Sequence, residues 1–220
     1  MNITSKLLVF ALLSLLSIVG IVFGADHPAA SVSADAALAK LKEGNARYVN
    51  AKVSAGKPTA ARRAETAQGQ HPFAIILGCA DSRTSPEIIF DQNIGDIFVD
   101  RNAGNLVDDH TLGTIEYGVE HLGVRLIVVL GHERCGAVQA AVASNTAPGH
   151  IQSLVRDIQP AVQAVKGKPG DQVHLAVAEN ARLMAEEIRT KSNFGDLAKD
   201  VKIIPAVYDL DSGKVDFGKE

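Results

Sequence analysis

The sequence predicts an α/β fold: a central, mostly parallel β-sheet of about four to five strands, flanked by helices and preceded by a helical arm. Three observations predict it. Phe73 to Leu77 and Leu126 to Leu130 are nearly continuous runs of apolar residues rich in Ile, Val and Leu, the pattern of strands buried on both faces of a parallel sheet. Helical segments separate these runs, and parallel strands need such crossovers. A composition of 46% hydrophobic and 21% charged residues supplies a core and excludes a disordered chain.

The elements follow in chain order. Residues 1–24 read as a secretory signal peptide. Lys6 gives the charged start, Leu7 to Phe23 carry no ionisable residue, and small residues surround Gly24 and Ala25. An uncleaved anchor is the competing reading. Cleavage predicts an exported, periplasmic chain with no membrane attachment. Residues 25–33 form an Ala/Ser/Pro linker, and 34–220 form one domain whose first part, 34–70, is the helical arm. Helical spacing runs from Ser33 to Asn50, with Ser33 or Asp35 as cap, and a second helix runs from Thr59 to Gln68 behind Pro58. The arm is too polar to be a core by itself and is expected to pack on something else, a partner subunit included.

Beyond the first strand, helices are expected at Ser85 to Phe90, Asp109 to His121, Gly136 to Ala143 and Asp171 to Lys191. Further strands are expected at Ile97 to Val99 and Val201 to Tyr208. Val207 to Phe217, with Asp211-Ser212-Gly213 as its turn, reads as a closing hairpin.

Composition also narrows function. Lys plus Arg number 22 against 25 Asp plus Glu, so no global basic field would hold nucleic acid. Trp is absent and aromatics are 5%, which disfavours a surface for stacking sugars or bases. Two cysteines are too few for a disulfide-stapled scaffold.

The chemistry-bearing residues sit where strands end. Gly78-Cys79-Ala80-Asp81-Ser82-Arg83 closes the first strand, and Gly131-His132-Glu133-Arg134-Cys135-Gly136 closes the third. Open parallel sheets bind ligands at the carboxyl ends of their strands, so both motifs are expected on one rim. Three readings of the sulfurs stand side by side: a Cys79–Cys135 disulfide, two buried free thiols, or a zinc site using Cys79, His132 and Cys135. Three protein ligands would leave a fourth position open, as in catalytic zinc sites. Asp81, two residues after Cys79, would face such an ion, and Arg83 would restrain its carboxylate. A turn residue and a surface charge are their plainer readings.

These blocks, together with Gly95-Asp96-Ile97-Phe98-Val99-Asp100-Arg101-Asn102-Ala103-Gly104-Asn105, resemble the β-class carbonic anhydrases in spacing and order. The resemblance extends from about Ser33 to the end of the chain. It implies a lyase that hydrates carbon dioxide reversibly to bicarbonate and a proton by zinc-bound hydroxide. One Zn2+ per subunit would be held by Cys79, His132 and Cys135, beside a catalytic Asp81–Arg83 dyad. One subgroup, plant enzymes included, lines its substrate pocket with Gln, Phe and Tyr, and here Gln70, Phe98 and Tyr117 match. Another subgroup binds inhibitory bicarbonate next to a Trp, and Ile76 takes that position here. The family implies a homodimer or homotetramer, with Gln70 and Tyr117 completing a neighbour's pocket. The competing functions are hydrolysis of carbon disulfide or carbonyl sulfide on the same zinc site, and a non-enzymatic exported zinc or thiol protein.

Overall fold

The computed structural model describes residues 32–54 and 59–219. The expected signal peptide and nearly all of the linker lie outside them. Among the described residues no helix is long and apolar enough to cross a membrane.

Five strands form one sheet: β1 (Ala74–Cys79), β2 (Ile97–Asn102), β3 (Leu126–His132), β4 (Lys202–Tyr208) and β5 (Val215–Phe217). Their order is β2-β1-β3-β4-β5. The first four are parallel, and β5 returns antiparallel on β4 as the expected hairpin. From β1 the chain steps outward to β2, then crosses back to place β3 on the other side of β1. The succession therefore reverses between β1 and β3, and crevices for ligands open above the carboxyl ends of strands at such reversals.

Strand alternation divides the core into two layers. Ile75, Leu77, Ile127, Val129 and Ile203 face one cluster. Ala74, Ile76, Leu126, Val128, Leu130, Ile204 and Ala206 face the other. The strands are apolar in both registers because both faces are covered.

Helix α1 (Ala34–Val49) is capped by the Ser33 side chain, which accepts from the Ala36 amide. It buries Ala37, Leu41, Gly44 and Asn45, one face at helical spacing. That face covers the second cluster, so this half of the arm packs on its own sheet within one chain. Helix α2 (Ala60–Thr66) has no buried residue. It is tied down by Arg62, which donates to the Ile94 carbonyl at 2.9 Å and to Asp96 at 2.8 Å.

The other expected helices are present: α3 (Pro86–Ile89), α4 (Asp109–Glu120), α5 (Gly136–Ala143) and, after one more helix, α7 (Gln172–Lys191). The additional one is α6 (Ile151–Val165), which buries Val155, Ile158, Ala161 and Val165 against the first cluster. Its spacing is helical, but Pro160 lies inside it and His150 gives no side-chain cap. Both features disguise a helix in sequence. A 3₁₀ segment, Gly195–Asp200, leads into β4.

Two residues set the docking of α1. Asn45 donates to the carbonyls of Ile89 and Gly213 at 3.1 and 2.9 Å and accepts from the Val215 amide at 2.9 Å. One buried amide thereby joins α1, α3 and the β4–β5 hairpin. At Gly44 a Cβ would overlap the Phe90 carbonyl, so only glycine permits this approach. Gly44→Ala is expected to lower stability by about 1–3 kcal/mol through overpacking, although Ala favours an isolated helix by about 1 kcal/mol. Urea unfolding checks this, and an unchanged or raised midpoint would show that α1 does not dock so closely.

Candidate metal centre

Cys79 is the last residue of β1, and His132 is the last of β3. Cys135 follows one turn later as the N-cap residue of α5. All three are buried, and their ligand atoms lie within 4.8 Å of one another. The Cys79 and Cys135 Sγ atoms are 4.0 Å apart and both thiols are free. A disulfide would need about 2.05 Å. Two sulfurs on a tetrahedral zinc, each about 2.3 Å from the ion, sit about 3.8 Å apart. The separation matches shared coordination and not a covalent link.

The imidazole is set for the same purpose. Its Nδ1 lies 2.9 Å from the Glu133 carbonyl. A carbonyl only accepts, so Nδ1 carries the proton and Nε2 keeps its lone pair. Nε2 is buried with no hydrogen-bond partner among the described residues. An orphaned basic nitrogen beside two sulfurs is costly in an apolar interior, and a metal ion would satisfy it. The donor set, two thiols and one imidazole, suits zinc.

The thiols are unequal without metal. Cys79 is pushed down, chiefly by its hydrogen bond with the Cys135 thiol and also by the Gly104 amide, against the opposing effect of burial. Cys135 is pushed up, because it donates to Cys79 and because it is buried. One thiolate is thus already favoured, and a thiolate is the form that binds metal.

Asp81 and Arg83 meet as the sequence predicts. Arg83 donates through Nε to Oδ1 at 2.9 Å and through Nη2 to Oδ2 at 2.7 Å. The Arg83 backbone amide adds a third bond, to Oδ1 at 2.9 Å. The segment leaves the extended form at Asp81 and turns, with the Thr84 amide donating to the Asp81 carbonyl. Asp81 is therefore both the turn residue of the plainer reading and a carboxylate at the site. Arg83 holds its carboxyl well below the usual carboxylate range, against partial burial. Its Oδ2 lies 3.8 Å from His132 Nε2.

Two further residues fix this segment. Arg101 donates through Nε to the Cys79 carbonyl at 2.8 Å and through Nη2 to the Asp81 carbonyl at 2.7 Å. The Thr84 hydroxyl reaches the same two carbonyls at 3.3 and 2.9 Å. Sequence reasoning assigned neither role, because a side chain that clamps distant backbone leaves no local pattern. Arg134, at φ 52°, pairs with Asp211 and pins the β3 loop to the hairpin turn.

The expected pocket residues stand apart from this centre within one chain. Gln70 is exposed and precedes the start of β1, the strand that Cys79 ends. Phe98 pairs with Ile75, four residues before the Asn102–Cys79 pair, which is about 13 Å along the strand. Tyr117 is 47% exposed, its ring 6.3 Å from that of Phe98 and 5.0 Å from that of His121. Within one chain these three do not meet the Cys79, His132 and Cys135 cluster. Ile76 is buried in the layer under α1, in contact with neither dyad residue by hydrogen bond.

Comparison with known proteins completes the picture. The chain is 50% identical over 131 residues to "Carbonic anhydrase 2" of Mycobacterium tuberculosis, a match covering 58% of this chain and 63% of that protein. It is 36% identical over 188 residues to a carbonic anhydrase of Mycolicibacterium smegmatis, covering 82% of this chain and 91% of the relative. The crystal structure of the β-carbonic anhydrase CafA of Aspergillus fumigatus superposes with a TM-score of 0.64 at 26% identity, covering 84% of this chain and 90% of that one. A family model described as carbonic anhydrase matches residues 74–215, from the first residue of β1 to the first of β5, and so takes in all three metal-ligand positions. On this sheet, this ligand set and these relatives, the chain belongs to the carbonic anhydrase family, in its β class.

Proposed function

We propose that the chain catalyses the reversible hydration of carbon dioxide to bicarbonate and a proton, with one zinc ion held by Cys79, His132 and Cys135. The observation that carries this reading is the buried trio of candidate ligand atoms within 4.8 Å of one another, with His132 Nε2 unpartnered among the described residues. When bound, zinc supplies Lewis acidity that turns water into a nucleophile near neutral pH.

The protein's own groups then divide the work. A carboxylate oxygen accepts about two hydrogen bonds. Oδ1 of Asp81 is filled by two donors of Arg83, whereas Oδ2 takes one. The free acceptor site therefore lies on Oδ2, the oxygen nearer His132. Oδ2 can hold the proton of an attacking water and so direct its lone pair at the substrate carbon, a positioning effect. Arg83 keeps Asp81 ionised and turned in this sense. Arg101 and Thr84 fix the backbone on which Cys79 and Asp81 ride, so thiolate and carboxylate keep a constant relation.

The distance of Gln70, Phe98 and Tyr117 from their own centre supports a shared pocket of the Gln/Phe/Tyr subgroup, in a homodimer or homotetramer. Their substrate would be the small apolar carbon dioxide entering from a subunit boundary. The ion-free stretch from Leu7 to Phe23 supports export with loss of the leader.

Three outcomes are expected. Asp81→Asn keeps about one zinc per chain but loses about 100-fold or more in turnover, read by metal analysis beside stopped-flow carbon dioxide hydration. Wild-type turnover in that variant would remove Asp81 from the reaction. Sedimentation of the mature protein shows a dimer or larger, and a fully active monomer would rule out the shared pocket. N-terminal sequencing of protein from the periplasm of an expressing host begins at Ala25 or Asp26, and a retained Met1 would overturn cleavage.

A further inference from the structure

Asn180 lies on α7 among Ala176, Val177, Ala181 and Met184, on the helix face that closes the first core cluster. It is 1% exposed. A buried amide on such a face costs about 1–3 kcal/mol unless it is fully hydrogen-bonded. Asn180 is only half satisfied: Nδ2 donates to the Gly104 carbonyl at 2.9 Å, and Oδ1 has no partner among the described residues. A half-satisfied buried polar group calls for an explanation other than stability.

Its one bond lands on the loop that follows β2. Gly104 there has φ 85°, and a Cβ would stand 3.0 Å from Ile158 Cδ1. The Gly104 amide donates to Cys79 Sγ at 3.4 Å. The Asn102 side chain closes the loop by donating to the Leu106 carbonyl at 2.7 Å and accepting from its amide at 2.6 Å. Gly104 is thus gripped on its carbonyl side by Asn180, and on its amide side it faces a metal-ligand sulfur.

We propose that Asn180 is a positioning residue for the metal centre, acting through Gly104 to hold the amide that points at Cys79 Sγ. An amide hydrogen bond draws electron density from a thiolate. That raises the energy of sulfur-to-metal charge transfer, and the same bond fixes the lone pair left for the metal, which is what holds affinity. Partners behind the ligands commonly matter 10–100-fold for metal affinity. Without the Asn180 anchor the loop keeps only its local bonds, and the amide is free to turn away from the sulfur. This role rests on the zinc-site reading above.

The test uses the mature full-length protein loaded with cobalt(II), whose sulfur-to-metal charge-transfer band reports thiolate donation, and zinc affinity by chelator competition. Asn180→Leu, of the same branched outline but without the donor, is expected to weaken zinc by about 10–100-fold and move the band to lower energy. Asn180→Asp, which keeps the shape but sets an acceptor against the Gly104 carbonyl, is expected to do the same. Met184→Ala, in the same core one turn along α7, is expected to lower the melting temperature while leaving both readouts unchanged. If both Asn180 variants keep wild-type affinity and band, or if Met184→Ala moves them equally, Asn180 is only a core residue. A wild-type chain that takes up neither cobalt nor zinc would instead overturn the metal-centre reading itself.

Discussion

The parallel pairing of β1 with β3 is the constraint on which everything else rests. Gly78 stands opposite Leu130, which brings the next residues, Cys79 and Gly131, level and puts His132 one step beyond. Adjacent strands lie about 4.8 Å apart, so a sulfur and an imidazole on these ends come within coordinating reach without any strained loop. A slip of one residue would turn every side chain of β1 to the other face and carry Cys79 from the α5–α7 layer into the layer under α1. The apolar packing of both faces therefore sets the geometry of the polar site. The residues that pin the register, such as Ile75, Leu77, Ile127 and Val129, are metal-site residues in effect though none approaches the ligand atoms' chemistry.

Around this pairing the chain places polar groups that would be liabilities elsewhere. Arg101 spends its guanidinium on two backbone carbonyls, and Arg83 covers a carboxylate from outside. Cys135 reaches the site as the N-cap residue of α5, where the Val138 and Ala137 amides offset part of the cost of its burial. Each arrangement is local, yet all of them bear on a segment only a few residues long. The rigidity of the centre comes from many short polar contacts to backbone, laid over strand ends whose register the apolar core has already set.

What the sequence disclosed and what it hid follow from the same physics. β1 and β3 were legible because strands buried on both faces need continuous apolar runs, and the ligands were legible because they sit at the ends of those runs. The α1 arm read as too polar to belong to a core. Its buried face includes Gly44 and Asn45, which dock by close approach and by hydrogen bonds, and hydropathy records neither. α6 was hidden by Pro160 and by an uncapped start. Asn180 carried no signal, since only the fold reveals that its face of α7 is closed. Gln70, Phe98 and Tyr117 were marked by resemblance alone, and one chain cannot show what they face.

Burial around the centre falls in one direction. His132 and the two sulfurs are almost wholly enclosed, the Asp81 side chain is 17% exposed, and the Arg83 side chain is 52% exposed. The ligands thus lie in a medium where charge is poorly solvated, and the dyad lies at its boundary with water. An apolar substrate loses little on entering the enclosed side, whereas an anion formed there would be poorly solvated until it met the boundary. Arg83 cannot compensate an anion fully, because its fork is already committed to Asp81. If, as proposed, that pair orients the nucleophile, it has no second fork to offer the product.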